Sequence, residues 1–225
     1  MKKLGIYGVV LGLVTMPVLS LAIDKAAKEM NQSPVGYWLQ YSDDGIGQSV
    51  MEVMPGAKNT LEGKILVPFV NIVDDKIVAP DVACKECGKG SKNGYSYDYT
   101  KMPEAQVQDL KIMWSFTKDS DADGSQGPVY DDGSILDPSD GKVYSCKMYT
   151  TDYGKWLNVR GYIGFSLFGR TQTWQRISQD QAEHFVKMCG LTKEGHYTYT
   201  DKNGKIVNQA LWEACSHVNL KDKKK

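Results

Sequence analysis

The sequence predicts an all-β fold, an eight-stranded antiparallel barrel with a small α+β appendage at its C-terminal end. Eight segments between residues 35 and 177 are rich in β-branched and aromatic residues and alternate apolar with polar side chains. Turn signatures rich in Asp and Gly separate most of them, and no helical pattern stands among them. Strands this close in sequence pair as antiparallel neighbours, and a sheet that closes on itself leaves no exposed edge.

The eight strand candidates are short, and their alternation assigns a face to each side chain. Cys146 falls on the apolar face of its strand, and Leu157, Val159 and Ile163 share the apolar face of the next. The segment 71–103 lacks this pattern, and we expect it to be irregular and either pinned by a disulfide or functional. The candidates span residues 35–41, 48–54, 61–67, 109–117, 128–137, 142–150, 155–163 and 171–177.

A different pattern begins after the last strand candidate. Ser178 and Gln181 have the spacing of a capping box, and an amphipathic helix with a closing glycine follows. We expect an appendage over residues 178–225, made of a helix at 178–190, a hairpin around Asn203-Gly204, a helix at 208–220 and a basic tail.

The first 22 residues have the composition of a secretory signal peptide. Lys2 and Lys3 precede an apolar run, and small residues stand before a cleavage point near Ala22. The alternative is a retained membrane anchor, because the run is nearly long enough to span a bilayer. We expect cleavage, a linker over residues 23–32, a barrel domain over residues 33–177, no transmembrane span after cleavage, and a periplasmic or secreted protein.

The charge balance excludes one class of partner. The chain has 27 basic and 27 acidic residues, and loss of Lys2 and Lys3 with the signal peptide leaves 25 basic ones. A nucleic-acid partner requires a basic stripe, and this balance does not suggest one. We therefore expect no nucleic-acid partner.

All five cysteines follow the signal peptide, in a chain expected to reach an oxidising compartment. An odd number leaves one thiol over, and several pairings are open. Proximity in sequence favours Cys84 with Cys87, and Cys189 with Cys215. Cys146 is then the unpaired thiol, buried and inert, and the alternative is a reactive nucleophile.

Residues at the two ends of the barrel segment predict how the barrel closes. Gly36 and Trp38 form a G-x-W pattern on the first strand, and Trp174 and Arg176 lie on the last. Parity directs Trp38 toward the barrel end at which the chain enters. The planar guanidinium of Arg176 can stack on that indole, which a lysine cannot do.

This arrangement resembles the lipocalin and calycin pattern, in which an arginine from the last strand closes the barrel over the G-x-W tryptophan. A closer resemblance covers about residues 33–177. The segments SPVGYWLQY, CKEC, GSILDPSDGKVYSCKM and LNVRGYIGFSLFGRTQTWQR, in this order, resemble the bacterial family known as domain of unknown function 2147. The resemblance implies a small exported lipocalin-like β-barrel with no established activity, and the appendage departs from the family pattern.

A ligand site is indicated at the barrel mouth. Arg170 lies close in sequence to Tyr162, Phe165 and Phe168, in a Gly-rich segment that can turn sharply or approach another molecule. One interpretation is that the arginine holds an anionic headgroup beside the aromatic side chains. The other is that the arginines bond to carbonyls and carboxylates and so fix the loop, with Arg160 facing outward.

Patterns for catalysis or metal binding are weak. All three histidines lie in the appendage, so the barrel has none for a triad or for general-base catalysis. The CxxC lacks the further ligands that zinc requires, and residues 119–124 match only the first half of a calcium loop, where we expect an acidic turn. We expect no enzyme, no catalytic residue, no metal and no cofactor.

Two functions remain open. The first is an exported non-enzymatic protein that binds a small lipid-like or amphipathic molecule in the barrel mouth. The second is an envelope or secreted interaction module, whose barrel is filled by its own side chains and whose appendage contacts an envelope protein. An open cavity in the barrel would favour the first function.

Overall fold

The structure, a computed structural model, describes residues 32–42, 44–87, 105–164, 167 and 169–218. The predicted signal peptide and nearly all of the linker lie outside these residues. The described strands are β1 (Gly36–Tyr41), β2 (Gly47–Pro55), β3 (Leu61–Pro68), β4 (Asn71–Val73), β5 (Lys76–Val78), β6 (Lys111–Ser120), β7 (Val129–Leu136), β8 (Val143–Thr151), β9 (Trp156–Tyr162) and β10 (Gly169–Ile177), and the helices are α1 (Gln179–Cys189) and α2 (Gln209–Ser216).

Eight of the strands form a closed antiparallel barrel in the order β1-β10-β9-β8-β7-β6-β3-β2. The first and last barrel strands pair directly, with Trp38 opposite Arg176. Each of the eight predicted strands coincides with one barrel strand, so the predicted fold class is confirmed. The short Asp- and Gly-rich turns explain the topology, because most sequence neighbours pair as hairpins.

The segment predicted to be irregular begins with a hairpin of β4 and β5. Val73 pairs with Lys76 across a turn made of Asp74 and Asp75, which both have positive φ. Two positive φ angles suit a two-residue hairpin turn, and Asp tolerates this conformation better than most residues. Strands of three residues are too short for alternation to reveal, which is why the prediction missed them.

The closed end of the barrel is filled by a first core of large side chains. Trp38, Met51, Phe116 and Met148 are fully buried there. A side chain at Gly133 would overlap the Phe116 ring, with its Cβ only 2.3 Å from the ring edge, so glycine gives this ring its space. The barrel is therefore solid at this end.

Alternation predicted the inward faces of β8 and β9 well, with one difference. Cys146, Leu157 and Val159 are buried in the first core. Ile163 was expected on the same face, but β9 ends one residue before it and its side chain is 73% exposed. Its position is described below with the barrel mouth.

Cys146 is the free cysteine of the described chain, and it is fully buried. Burial raises the pKa of its thiol, and the nearby Asp131 carboxylate acts in the same direction. Because the thiolate is the reactive form, this environment favours an inert thiol.

We expect the native protein to give no rapid reaction with a thiol reagent such as DTNB. After unfolding in guanidinium without reductant, one thiol per chain should react, since the other four cysteines are paired. Titration of the native and unfolded protein measures both values. Fast labelling of the native protein would instead identify Cys146 as accessible.

A second core lies outside the barrel, where the appendage covers the outer face of β1, β2 and β3. Leu39, Val50, Val67 and Phe69 point away from the barrel interior and are at most 4% exposed. They pack against residues of the appendage, which include Ala182, Cys189, Tyr197, Tyr199, Trp212 and Cys215. The appendage is thus an integral layer of the fold.

Aromatic contacts and hydrogen bonds fix the appendage in place. Phe69 and Phe185 have ring centroids 5.1 Å apart, and the rings of Tyr197 and Tyr199 are stacked at 5.7 Å. The Tyr197 hydroxyl donates to the Asp81 carbonyl at 3.0 Å. Burial raises the pKa of both tyrosines, which keeps them neutral.

Local structure in the appendage agrees with the helix predictions more closely than with the hairpin prediction. Ser178 and Gln181 form the capping box of α1. The chain reverses around Asn203-Gly204 as expected, but the pairing is short: one bridge joins Thr200 to Ile206, and backbone N–H groups of Asp201 and Val207 donate across it to the carbonyls of Lys205 and Tyr199, both at 2.9 Å. The Asp201 carboxylate also accepts backbone N–H bonds from Asn203 and Lys205, so a side chain reinforces this turn.

Candidate ligand-binding cavity

The open end of the barrel contains a cavity of about 960 Å³. Trp174 forms its floor, since it is the last of the inward residues of β10 to line the cavity before Arg176, which lies at the closed end of the barrel. A barrel filled by its own side chains, one of the two expectations, therefore describes only the closed end. The volume lies within the range of about 300–1,000 Å³ found for small-molecule sites.

One side of the cavity wall is apolar. It is built by consecutive strands of the barrel, from β3 round to β9, each of which turns at least one hydrophobic or aromatic side chain inward. The residues of this apolar wall are Ile65, Ile112, Ile135, Tyr144 and Val159.

The opposite side is polar and uncharged, and it is carried by the three adjacent strands β10, β1 and β2. The Ser49 hydroxyl donates to Gln40 Oε1 at 2.6 Å, and Gln40 Nε2 donates to Gln172 Oε1 at 3.0 Å. Trp174 Nε1 donates to the same oxygen at 3.2 Å. These four side chains line the cavity as one hydrogen-bonded row, which we call the polar wall.

Among the residues that the structure describes, the charged side chains that line the cavity lie around its mouth. Two of them form an ion pair: Lys85 Nζ lies 2.5 Å from Oδ1 of Asp81, four residues earlier in the chain. Carboxylates outnumber cations among these described residues, which gives this part of the entrance a negative balance. The charged residues lining the mouth are Asp44, Asp81, Glu86 and Asp137 on the acidic side, and Lys85 and Arg170 on the basic side.

Exposed hydrophobic side chains also surround the mouth. Ile72 and Val73 of the β4–β5 hairpin are 37% and 52% exposed, and Ile163 is 73% exposed. All three line the cavity entrance. An apolar molecule that enters the barrel therefore meets hydrophobic contacts before it passes the rim.

Two of the predicted ligand-binding residues lie at this mouth. Arg170 shares the inward face of β10 with Gln172 and Trp174, and it lines the cavity. Tyr162 lines the rim, but its hydroxyl donates to Asp131 Oδ1 at 3.1 Å. Burial and the Asp131 carboxylate raise the pKa of Tyr162 to about 12.

The other two candidates, Phe165 and Phe168, lie outside the described residues. Arg160 lies on the opposite face of the sheet from the cavity, beside Thr171. Its guanidinium donates to the Thr171 hydroxyl at 2.9 Å and to the Leu167 carbonyl at 3.1 Å. These contacts are the kind expected of an arginine that fixes a loop.

At the closed end, Arg176 covers the G-x-W tryptophan. Its guanidinium carbon lies 4.1 Å from the Trp38 ring centroid. It also donates to the carbonyls of Gly154 at 2.6 Å, Val35 at 3.0 Å and Ser33 at 2.5 Å. Burial lowers the pKa of Arg176 to about 10, so the group stays charged at neutral pH.

Gly36 leaves room for this contact. It has φ +135, and a Cβ there would lie 2.8 Å from Arg176 Nη1. Both the backbone angle and the close approach favour glycine. Trp174, which we grouped with the closing residues, lies higher in the barrel, at the cavity floor.

Both predicted cysteine pairs lie at disulfide distance. Cys189 and Cys215 join α1 to α2 with Sγ atoms 2.07 Å apart, and the Cα atoms of Cys84 and Cys87 are 5.4 Å apart. Cys84 lines the cavity mouth but is only 3% exposed. This bridge pins a segment that crosses the open end, where the Cys84 N–H donates to the Ala105 carbonyl at 2.8 Å.

No cluster of three or more potential metal ligands occurs among the residues that the structure describes. In the same part of the chain, none of the helices has the length and apolar character needed to cross a membrane. Of the acidic turn expected at 119–124, Asp119 and Ser120 belong to the end of β6, and Asp121 forms an ion pair with Lys118 of the same strand.

Sequence analysis missed Gln40, Ser49 and Gln172 as site residues. A usable signal was present, because Gln172 has the same parity as Trp174 and Arg176 and therefore faces inward. Polar residues at inward positions of a barrel strand need either a partner or a ligand. The partner of Gln172 comes from a strand more than 130 residues away, as the separation of 132 to Gln40 shows.

Comparisons with known proteins add a family and a structural neighbour. A model of the family described as "Uncharacterized protein conserved in bacteria (DUF2147)" matches residues 36–176. Protein HP1028 of Helicobacter pylori, whose structure is described as belonging to the lipocalin family, is 16% identical with a TM-score of 0.46. That match covers 68% of this chain and 88% of the other. No curated protein matches.

Proposed function

Since the chain belongs to the DUF2147 family of uncharacterized bacterial proteins, we propose from its cavity that it is an exported, non-enzymatic binding protein for a small apolar or amphipathic molecule. The ligand enters at the open end of the barrel and rests against Trp174. The observation that carries this proposal is the cavity of about 960 Å³, which is apolar on one side and opens at a hydrophobic rim.

Export is supported by the two disulfides, because such bonds persist mainly outside the reducing cytosol. It agrees with the expected signal peptide, with the periplasm or the exterior as destination.

The residues that line the cavity support a binding role better than a catalytic one. Within the described residues no histidine lines the cavity, and its deep part has amides, one hydroxyl, aromatic rings and hydrocarbon.

The interaction-module alternative depends on the appendage as a contact surface. Its large side chains are used instead in the second core, where Tyr197 and Tyr199 are at most 1% exposed and Trp212 is 8% exposed. The open half of the barrel also has no role in that alternative. The cavity therefore supports ligand binding better.

The test uses N-phenyl-1-naphthylamine, a dye whose fluorescence rises in apolar surroundings. Gly161 faces the cavity, and a Cβ added there meets only ordinary contacts at 3.7 Å, so a larger side chain is directed into the open space. We expect the wild-type protein to bind the dye and Gly161→Phe to bind it at least about tenfold more weakly, because the ring occupies the cavity.

Gly161→Ala is the matched control, since it alters the same position without filling the cavity, and it should bind as the wild type does. Thermal unfolding of both variants verifies that the barrel is intact. Equal dye binding by Gly161→Phe would show that the dye does not occupy the cavity, and no binding by the wild type would contradict the proposed function.

A further inference from the structure

The hydrogen bonds of the polar wall have a fixed direction. An indole N–H can only donate, so the Gln172 atom that faces Trp174 Nε1 must be the carboxamide oxygen. The same oxygen then requires Gln40 to present its NH₂ group, which leaves Gln40 Oε1 to accept from Ser49. One tryptophan thereby sets the orientation of both glutamines.

This orientation leaves an unused donor in the cavity. The Gln172 oxygen already accepts two hydrogen bonds, whereas its NH₂ group has no partner among the residues that the structure describes. Gln172 lines the open cavity, so these N–H groups are available to a bound molecule. An N–H group that a ligand buries needs an acceptor, because leaving it unpaired costs free energy.

The charge distribution restricts what that acceptor can be. The polar wall has amides, a hydroxyl and an indole but no cation, and the residues of the rim that the structure describes include four lining carboxylates against two cations. An anionic group beside Gln172 would lose its hydration and would meet no cation within the polar wall, since Arg170 lies further toward the mouth along β10 and already has an interaction of its own. It would also pass a rim at which the described carboxylates outnumber the described cations. A neutral acceptor meets neither obstacle.

We infer that the cavity selects a neutral amphipathic molecule that presents a carbonyl-type acceptor, such as an amide or ester, to the NH₂ group of Gln172, with its hydrocarbon against the apolar wall. This inference rests on the proposed function and specifies its ligand class. The polar group of the ligand binds deep on one side of the barrel rather than at the mouth.

The experiment compares three probes of equal chain length as competitors of N-phenyl-1-naphthylamine. N,N-dimethyldecanamide is neutral and only accepts hydrogen bonds, decanoate is anionic, and decylammonium is cationic and only donates. We expect the amide to displace the dye from the wild-type protein at a concentration about tenfold lower than either charged probe, as one buried hydrogen bond allows.

Two substitutions at Gln172 separate recognition from packing. Gln172→Leu removes the donor, and the advantage of the amide should fall to less than about threefold. Gln172→Glu keeps oxygens for Trp174 and Gln40 but replaces the free donor by an acceptor, so the preference should move to decylammonium. This second variant also covers the case in which Gln172→Leu does not fold.

Gln175→Leu is the matched control, because it makes the same change on the opposite face of the same strand, outside the cavity lining. It should keep the ranking of the wild type. Dye binding without a preference for the amide, or a ranking unchanged in Gln172→Leu and Gln172→Glu, would overturn this inference alone. Absence of dye binding by the wild type would overturn the proposed function and this inference together.

Discussion

Arg176→Ala is expected to lower the free energy of unfolding by about 3–5 kcal/mol, since the guanidinium makes three hydrogen bonds and a stacking contact that water cannot replace in the buried site. The carbonyls of Ser33, Val35 and Gly154 would lose their donor together. They belong to the chain entry and to the turn before β9, so the loss opens the closed end. Urea unfolding followed by far-ultraviolet circular dichroism measures the change.

Two further variants make this prediction specific. Arg176→Lys keeps the charge but not the planar fork, and it should recover less than half of the lost stability. Arg160→Ala removes an outer-surface arginine with two hydrogen bonds and should change stability by no more than about 0.5 kcal/mol. Similar losses from the Arg176 and Arg160 substitutions would show that Arg176 has no special role in closing the barrel.

Replacement of Cys189 and Cys215 by serine is expected to cost about 3 kcal/mol, because this bridge closes a segment of 26 residues in the unfolded chain. The loss should appear first in the appendage, which has only two short helices to hold its own structure. The stacked Tyr197 and Tyr199 rings give a near-ultraviolet circular dichroism signal for this layer, and far-ultraviolet signals follow the barrel strands.

The other disulfide provides the comparison. Cys84 and Cys87 are separated by three positions, so their replacement by serine should cost about 2 kcal/mol or less and should leave the aromatic signal of the appendage unchanged. Equal losses from the two double substitutions, or loss of the appendage signal in both, would contradict the view that the Cys189–Cys215 bridge stabilises the second core.

The barrel could be predicted because its signals are local. Turns of Asp and Gly mark the ends of the strands, and the G-x-W pattern with Arg176 identifies the closing pair, which the register places side by side. The two cysteine pairs followed from proximity in sequence. These inferences used residues that are close together in the chain. The exception is the pair of Trp38 and Arg176, which was predicted from the resemblance to the lipocalin pattern.

The second core and the polar wall depend on contacts between distant segments, which a single sequence does not reveal. Val50 and Met51 are consecutive and both fully buried, one outside the barrel and one inside. Adjacent apolar residues of this kind indicate a strand covered on both faces, but they do not say what covers it. In the polar wall, the distant contact is the one between Gln40 and Gln172, which are 132 residues apart, whereas Ser49 and Gln40 lie on neighbouring strands of one hairpin.

Two of the three strands of the polar wall, β1 and β2, also support the appendage on their other face. Gln40 lies between Leu39 and Tyr41, and Ser49 precedes Val50, so residues that face the cavity alternate with residues that face the second core. Any shift of these strands moves both sets of side chains. If the cavity binds a ligand as we propose, occupancy and docking of the appendage are thermodynamically linked, and a substitution in the appendage is expected to alter affinity without touching the bound molecule.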